Sequence, residues 1–392
     1  MTLGAYREQL MSALHIETIQ EEGELARLQP EWDALCASLA DQSSVFMSSF
    51  WHDCWWRHFG TGAALNLIVV RRQGELIGLF PFMRRRTSLH GLPVRAICFP
   101  ENGNSLHNDF LVRGEHRDEV LREVVSHLYR HRESWDVLQL NNMPEGSENC
   151  VGLLRLLSEG GRRFQRRPSL DSPYLEVSGD WERFLSSRPM RVRKTLRNIQ
   201  NGMGRAGVHE LLEVTTWPGY QEAREGLYEV ARHSWTEQVG DSLAHPVNAA
   251  FFEDLARAAS ARGCLSLWLL KLNGTIAAFE FHLRSHATQH AMRASFHQEH
   301  ARLSPGAFLE MQILKQIFEQ PRGIGRVDFG GSFDPYKRRW SDSSRRHLTV
   351  TVFHEGLYSR IAAFHELGAV SALRTVRDQV RVVRGQLRGE KP

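Results

Sequence analysis

Leu267-Trp-Leu-Leu-Lys-Leu-Asn-Gly274-Thr-Ile-Ala-Ala-Phe-Glu-Phe-His282 aligns with Leu67-Ile-Val-Val-Arg-Arg-Gln-Gly74-Glu-Leu-Ile-Gly-Leu-Phe-Pro-Phe82 at a constant offset of 200 residues. Each stretch reads as a strand, a tight glycine turn and a second strand. Asn273-Gly274 is a two-residue hairpin signal, because the central positions of such a turn need positive φ. The correspondence continues downstream. A helical pattern follows in both halves, around 117–131 and 305–319, and then a short strand, Val137-Leu-Gln-Leu140 in the first half and Val327-Asp-Phe329 in the second. The chain is therefore expected to be an internal duplication of one α/β unit, with a period too long for a solenoid.

Helical sequence precedes each hairpin: Glu24 to Leu39 and Ser49 to Phe59 in the first half, Trp217 to Trp235 and Ala249 to Arg262 in the second. Leu25, Leu28, Trp32, Leu35 and Leu39 recur at three- and four-residue steps, which marks one buried face. Pro168, Pro173 and the charged 162–167 stretch place a crossing between domains near 155–172. The expected division is a loose tail at 1–14, an N-terminal domain at 15–160, a C-terminal domain at 161–355 and a helical tail at 356–392.

A chain of 392 residues suits two domains rather than one core. Its 42% hydrophobic and 24% charged content is that of a soluble globular protein. There is no apolar run of about 18 residues, and the N-terminus carries Arg7 and Glu8 where a signal peptide would be apolar, so the cytoplasm is the expected location. Cys36, Cys54, Cys98, Cys150 and Cys264 are odd in number and scattered, which argues against a disulfide framework or a structural zinc site. The formal net charge of +4 is modest and gives no reason to expect DNA as a partner; the basic residues gather locally, around 155–205 and 338–388.

The stretch from Ser304 to Trp340 carries the chemistry. Ser304-Pro305-Gly306 starts an amphipathic helix in which Ser304 can cap, Pro305 suits the first turn and Gly306 lets a ligand approach the backbone. The free amides of that turn form an anion site. The first copy has no equivalent: its helix follows Leu111-Val-Arg-Gly-Glu-His-Arg117, and Glu115 and Asp118 stand where an anion would sit.

A hairpin strand with a polar residue in its apolar run, a strand from Thr288 to His297, a helix opened by Ser-Pro-Gly, then Asp328-Phe-Gly-Gly331 and Tyr336-Lys-Arg-Arg-Trp340 resembles the tandem-repeat branch of the GNAT acyltransferases. Within that branch the chain resembles acetyltransferase-like proteins associated with bacterial cellulose and exopolysaccharide biosynthesis, and more distantly the Fem-type aminoacyl transferases of peptidoglycan assembly. The resemblance implies an α/β (α+β) fold of two GNAT-like domains in tandem, each a mixed, mostly antiparallel splayed sheet flanked by helices, plus the C-terminal helix. It also implies an acyl donor lying in the splay, with its diphosphate on the following helix. That assigns the donor to the backbone of Leu303, Ser304, Gly306, Ala307 and Phe308, with acyl-coenzyme A, acetyl-coenzyme A above all, as co-substrate. The loop departs from the usual pattern in having one glycine where two closely spaced ones are customary, which keeps an aminoacyl-tRNA or an acyl carrier protein open as donor. The expected acceptor is a small molecule or a sugar- or lipid-linked envelope precursor; the alternatives are an aminoacyl-tRNA-dependent ligase and a non-catalytic assembly partner.

Acyl transfer by direct attack needs a base for the acceptor proton, a donor to the carbonyl oxygen and an acid for the leaving group. Alternation along the second strand of the hairpin puts Ala278, Glu280 and His282 on one face, which makes Glu280 a candidate base; a salt bridge to Arg293 is the plainer reading. Asp328 is a second carboxylate candidate, Tyr336 a candidate acid, and Arg293, Lys337 and Arg338 candidate contacts to an anionic acceptor. His282, His286 and His290 would suggest a metal only on one helix, and the strand-turn-strand pattern breaks that spacing, so no metal is expected. Arg188, Arg191, Arg193, Lys194, Arg197 and Arg205 crowd one helix whose Val192, Leu196 and Ile199 face inward. Arg374, Arg377, Arg381, Arg384 and Arg388 flank an apolar seam at helical spacing, which suits either peripheral contact with an anionic membrane face or docking on the protein.

Overall fold

The computed structural model describes residues 14–370 apart from 40–43, 239, 241, 321–322 and 335. The first half of the chain forms β1 (Leu14–Ile19), α1 (Glu22–Ser38), α2 (Ser49–Phe59), β2 (Ala63–Arg72), β3 (Glu75–Leu89), β4 (Leu92–Cys98), β5 (Leu111–Val112), α3 (Arg117–Arg130), β6 (Val137–Pro144), α4 (Glu148–Glu159) and β7 (Phe164–Glu176). After α5 (Trp181–Ser187) and α6 (Met190–Arg205) the pattern repeats. It runs through β8 (His209–Val214), α7 (Trp217–Arg232), α8 (Pro246–Ala261), β9 (Leu265–Leu272), β10 (Thr275–Ser285), β11 (Thr288–Phe296), α9 (Pro305–Glu319), β12 (Arg326–Asp328) and β13 (Ser344–Phe353), and α10 (Leu357–Phe364) follows.

The hairpins β2–β3 and β9–β10 keep the offset seen in the sequence, and their turns have positive φ at both central residues, Gln73 and Gly74 in one and Asn273 and Gly274 in the other. The strands join in one sheet of order β1-β2-β3-β4-β6-β13-β7-β12-β11-β10-β9-β8, with β5 beside β3. At the centre the two copies exchange their last strands. β7 ends the first copy yet pairs with β12 of the second, while β13 ends the second copy and pairs with β6 of the first. β7 and β13 also pair with each other. The 155–172 passage, expected as an inter-domain crossing, is thus the end of α4 and a strand in the middle of the sheet.

Alternation along the strands sorts side chains between two helical layers. Leu267, Leu269, Phe279 and Phe281 face a core built by α1, α2, α7 and α8 together, whereas Trp268, Leu270 and Ala278 face α5, α6 and α9. The first core spans both copies: Trp51 and Phe59 of α2 meet Phe251 of α8 at centroid distances of 5.6 and 5.1 Å. On the other side of the first half, α3 and α4 cover β2, β6 and β13. None of the five cysteines is in a disulfide. Among the described residues, no helix is long and apolar enough to cross a membrane.

Candidate active site

β11 and β12 run parallel but pair only over Thr288–His290 and Arg326–Asp328. Beyond that point β11 continues to Phe296 bonded to β10 alone, and the two strands part. In the first copy the matching parallel contact, Ala96–Cys98 with Val137–Gln139, lies at the very end of β4, so no strand runs on past it. A cavity of about 620 Å³ occupies the opening in the second copy. Ala291 to Phe296 of β11 form one wall, Phe329, Gly331 and Tyr336 another, and the first half of the chain supplies Gly103, Ser105, Leu106 and Asn142. The walls are largely aliphatic and aromatic, as a binding site for a partly apolar ligand requires.

Two carboxyl groups enter this cavity. Glu280 comes from β10, is buried, and lies 2.9 Å from His282 Nε2 through Oε2. Burial pushes its pKa up to about 8. Glu310 comes from the second turn of α9, and burial together with the charge of Glu280 pushes it up to about 8 as well. Trp340, Arg339 and Lys337 act on it in the opposite sense. The indole N–H of Trp340 has no hydrogen-bond partner, so its effect on Glu310 is that of a nearby dipole rather than a formed bond. Tyr336 stands half exposed at the rim, its phenol held protonated by burial and by the nearness of Glu310 and Glu280. Arg339 also lines the cavity, and its buried Nη1 has no hydrogen-bond partner. A buried, unsatisfied guanidinium nitrogen is costly unless a ligand completes it.

The start of α9 meets the same cavity through Gly306 and Ala307. Pro305 has no N–H and the Phe308 amide donates to the Ser304 carbonyl at 3.0 Å, which leaves the Gly306 and Ala307 amides as the free donors of this helix end. The sequence expectation needs correction in detail. Ser304 sits in the left-handed region at φ 54°, and its hydroxyl caps nothing. Phe308 is buried in the core against His209, and Leu303 packs on the same core. α6 packs beside this end of α9, with Val192, Leu196 and Ile199 inward as expected and Arg191, Arg193, Lys194 and Arg197 exposed.

The fold places four further candidates. Asp328 does not line the cavity: it is buried on β12, where Oδ1 accepts from the Gly330 N–H at 2.9 Å and the Ser172 hydroxyl at 3.3 Å, and Oδ2 faces Arg345 at 3.5 Å. It fastens the turn after β12 to β7 and β13. Lys337 lines the cavity but is buried, and its ammonium donates to the Gly330 carbonyl at 2.6 Å and the Ser332 carbonyl at 3.2 Å within its own loop. Arg338 is exposed and stacks on Phe333 at 4.6 Å, while its neighbours Lys337 and Arg339 both line the cavity. Arg293 does line the cavity, but it stacks on Phe252 at 5.2 Å and reaches Asn104 at 3.4 Å, and the partner of Glu280 is His282.

Sequence reasoning missed Glu310. A signal existed: it is the first charged residue of a helix whose neighbours are apolar, and at four residues from Gly306 it falls on the face that carries the anion-binding turn. His282, His286 and His290 are spread over β10, a turn and β11. A different trio, Glu229, His233 and His297, brings one possible ligand atom each to within 4.8 Å of the others, at an exposed edge. The Arg374 to Arg388 repeat lies outside the described residues; within them, α10 turns Ala362 and Ala363 inward and exposes Leu357, Ile361 and Phe364.

Residues 191–338, which hold the second copy's contribution to this cavity except Arg339, match the family described as Acetyltransferase (GNAT) domain. No curated protein matches the chain in sequence. Among solved structures the fold is shared with FemX, at a TM-score of 0.59 and 13% identity over 88% of this chain and 100% of that one. It is shared too with L-PGS from Bacillus licheniformis (TM-score 0.51, 11% identity, 89% and 97% covered). A tandem GNAT protein from the clavulanic acid biosynthesis pathway is also similar (TM-score 0.50, 13% identity, 88% and 100% covered). The fold is a mixed α/β tandem GNAT fold.

Proposed function

We propose that this chain is an acyltransferase that moves an acyl group from acyl-coenzyme A to an amine or hydroxyl by direct attack, with the cavity between β11 and β12 as its active site. The observation that carries the reading is the convergence of Glu280, Glu310 and Tyr336 on a cavity that the free amides of α9 also face. Those amides and the unsatisfied Arg339 Nη1 fit the anionic part of such a donor, and the apolar walls fit its chain. An exposed basic face on α6 beside α9 adds to the attraction for phosphates.

Glu280, poised near neutral pH, takes the proton of the attacking amine or hydroxyl as the new bond to the acyl carbon forms. Glu310, when protonated, is a hydrogen-bond donor for the carbonyl oxygen as it gains charge. The leaving group departs with the proton of Tyr336, whose raised pKa keeps the phenol protonated until charge develops beside it. Because the first copy contributes Leu106 and Asn142 to the wall, its place in the reading is to shape the acceptor end, an envelope precursor or related small molecule.

The basic face of α6 also keeps an aminoacyl-tRNA donor in view. Thermal-shift titration separates the two: stabilisation by acetyl-coenzyme A supports the proposal, and its absence together with a salt-sensitive complex with tRNA replaces it with the ligase.

A further inference from the structure

Behind Glu280 runs a line of polar side chains to which the reaction scheme gives no role. Glu280 Oε2 lies 2.9 Å from His282 Nε2, His282 Nδ1 lies 2.7 Å from Gln289 Nε2, and Gln289 Oε1 lies 3.2 Å from Arg284 Nε. Arg284 in turn is bonded to Glu213, which also accepts the Ser266 hydroxyl at 2.8 Å. Gln289 is 0% exposed and His282 2%, so no solvent offers either an alternative partner. The line starts at the outer strand β8, crosses β10 and β11 and ends at the cavity.

The direction of every hydrogen bond in it follows from its outer end. A guanidinium has N–H donors and no acceptor, so Gln289 must turn its oxygen to Arg284. Its NH2 then faces His282, and an N–H needs a lone pair to meet, so Nδ1 is bare. Burial and the charge of Arg284 keep the imidazole neutral. A neutral imidazole has one proton, which is therefore on Nε2, aimed at Glu280. The opposite tautomer would set two donors against each other at Gln289 or force Gln289 to present a donor to Arg284; either leaves buried groups unpaired.

We infer that Gln289 and Arg284 are positioning residues that lock His282 in its Nε2–H tautomer, so that of the two cavity carboxyls Glu280 is the one that ionises and Glu310 the one that retains a proton. Glu280 receives an N–H that favours its charged form, and Glu310 receives none at hydrogen-bond distance. The other groups facing the pair do not reverse this order. Tyr336 faces both carboxyls from the loop after β12, Lys337 is bonded to backbone carbonyls, and Arg339 acts on Glu310 without a formed bond. Around His282, Glu213 is held by Arg284, and His290 is kept neutral by burial on β11. The tautomer follows from the hydrogen-bond geometry around a buried, neutral imidazole; its consequence for rate rests on the acyl-transfer reading.

The test is the imidazole ¹⁵N spectrum of the full chain, deuterated and labelled at histidine, with His282 assigned by triple resonance, between pH 6 and 8. The expected result is a protonated Nε2 and a bare Nδ1 throughout. A protonated Nδ1, or an imidazolium, overturns the inference whether or not the protein transfers acyl groups. The rate consequence is read separately in Gln289→Leu, where the acid limb of the pH–rate profile is expected to move up by about one pH unit, the scale of a lost hydrogen bond to a charged group. A limb that stays in place while only the amplitude falls makes Gln289 merely structural and overturns its positioning role.

Discussion

Glu280 on β10 and Glu310 on α9 enter one cavity from two different elements, and the charge of the first raises the pKa of the second. Neither has a cationic side chain bonded to it, so burial raises the pKa of both with no ion pair to offset it.

Glu280→Gln is expected to lower the acyl-transfer rate roughly 10²- to 10⁴-fold, the usual contribution of a positioned base. Thermal stability should hold or rise, because the amide carries no charge to desolvate. Steady-state rates with acetyl-coenzyme A and a panel of amines read this; an unchanged rate removes Glu280 from the mechanism.

The same two groups set a pH dependence of stability. A carboxyl whose folded pKa is raised binds more protons folded than unfolded, so its contribution is fully present below the ordinary value of 4.5 and is lost as pH rises through about 8. The melting temperature of the wild type should therefore fall relative to that of Glu280→Gln between pH 5 and 8. Parallel curves for the two proteins across that window would contradict the buried carboxyl.

Lys337 and Arg338 are expected to part company when substituted. Lys337→Met leaves the Gly330 and Ser332 carbonyls without their donor and should cost about 1–3 kcal/mol. Arg338→Ala loses an exposed stack and should stay within about 0.5 kcal/mol. Urea unfolding midpoints decide, and equal losses would mean that the loop does not depend on the buried ammonium.

Gly330 holds φ at 57°, and a Cβ there would lie 2.5 Å from Leu106 Cδ2, a residue of the other copy. Gly330→Ala should destabilise by about 1–3 kcal/mol through strain and overpacking together. Pairing it with Leu106→Ala should recover part of the loss, since that removes the clash but not the positive φ. A double variant with no recovery would place the whole cost in the backbone.

Arg339→Gln removes the unsatisfied nitrogen and is expected to raise KM for an anionic donor about tenfold or more while kcat changes little. A fall in kcat at constant KM would move Arg339 from binding to the chemical step.

Much of the fold was legible because it is written in local periods. The 200-residue offset, the positive-φ turns at Gln73-Gly74 and Asn273-Gly274, and the helix limits at 117–130 and 305–319 all follow from alternation, turn chemistry and capping within a few residues. Glu280 could be singled out by the same means, since one charge in an apolar strand is visible without knowing what it faces. The other residues of the site were harder. Asp328, Lys337 and Glu310 are a carboxylate, an ammonium and a carboxylate in plausible places, and nothing in their spacing says which one meets a ligand.

The sequence by itself determined that one α/β unit occurs twice and that the second copy alone opens this helix with Ser304-Pro305-Gly306, because both are properties of neighbouring residues. Only the tertiary structure decided how the copies join, by exchanging β7 and β13, since strand partners far apart in the chain are chosen by long-range hydrogen bonding that no local period records. It alone turned Lys337 onto backbone carbonyls, fastened Asp328 to a turn and set Glu310 across the cavity from Glu280. A side chain's ionisation and reach depend on what burial puts around it, and those surroundings come from four or five separate segments of this chain.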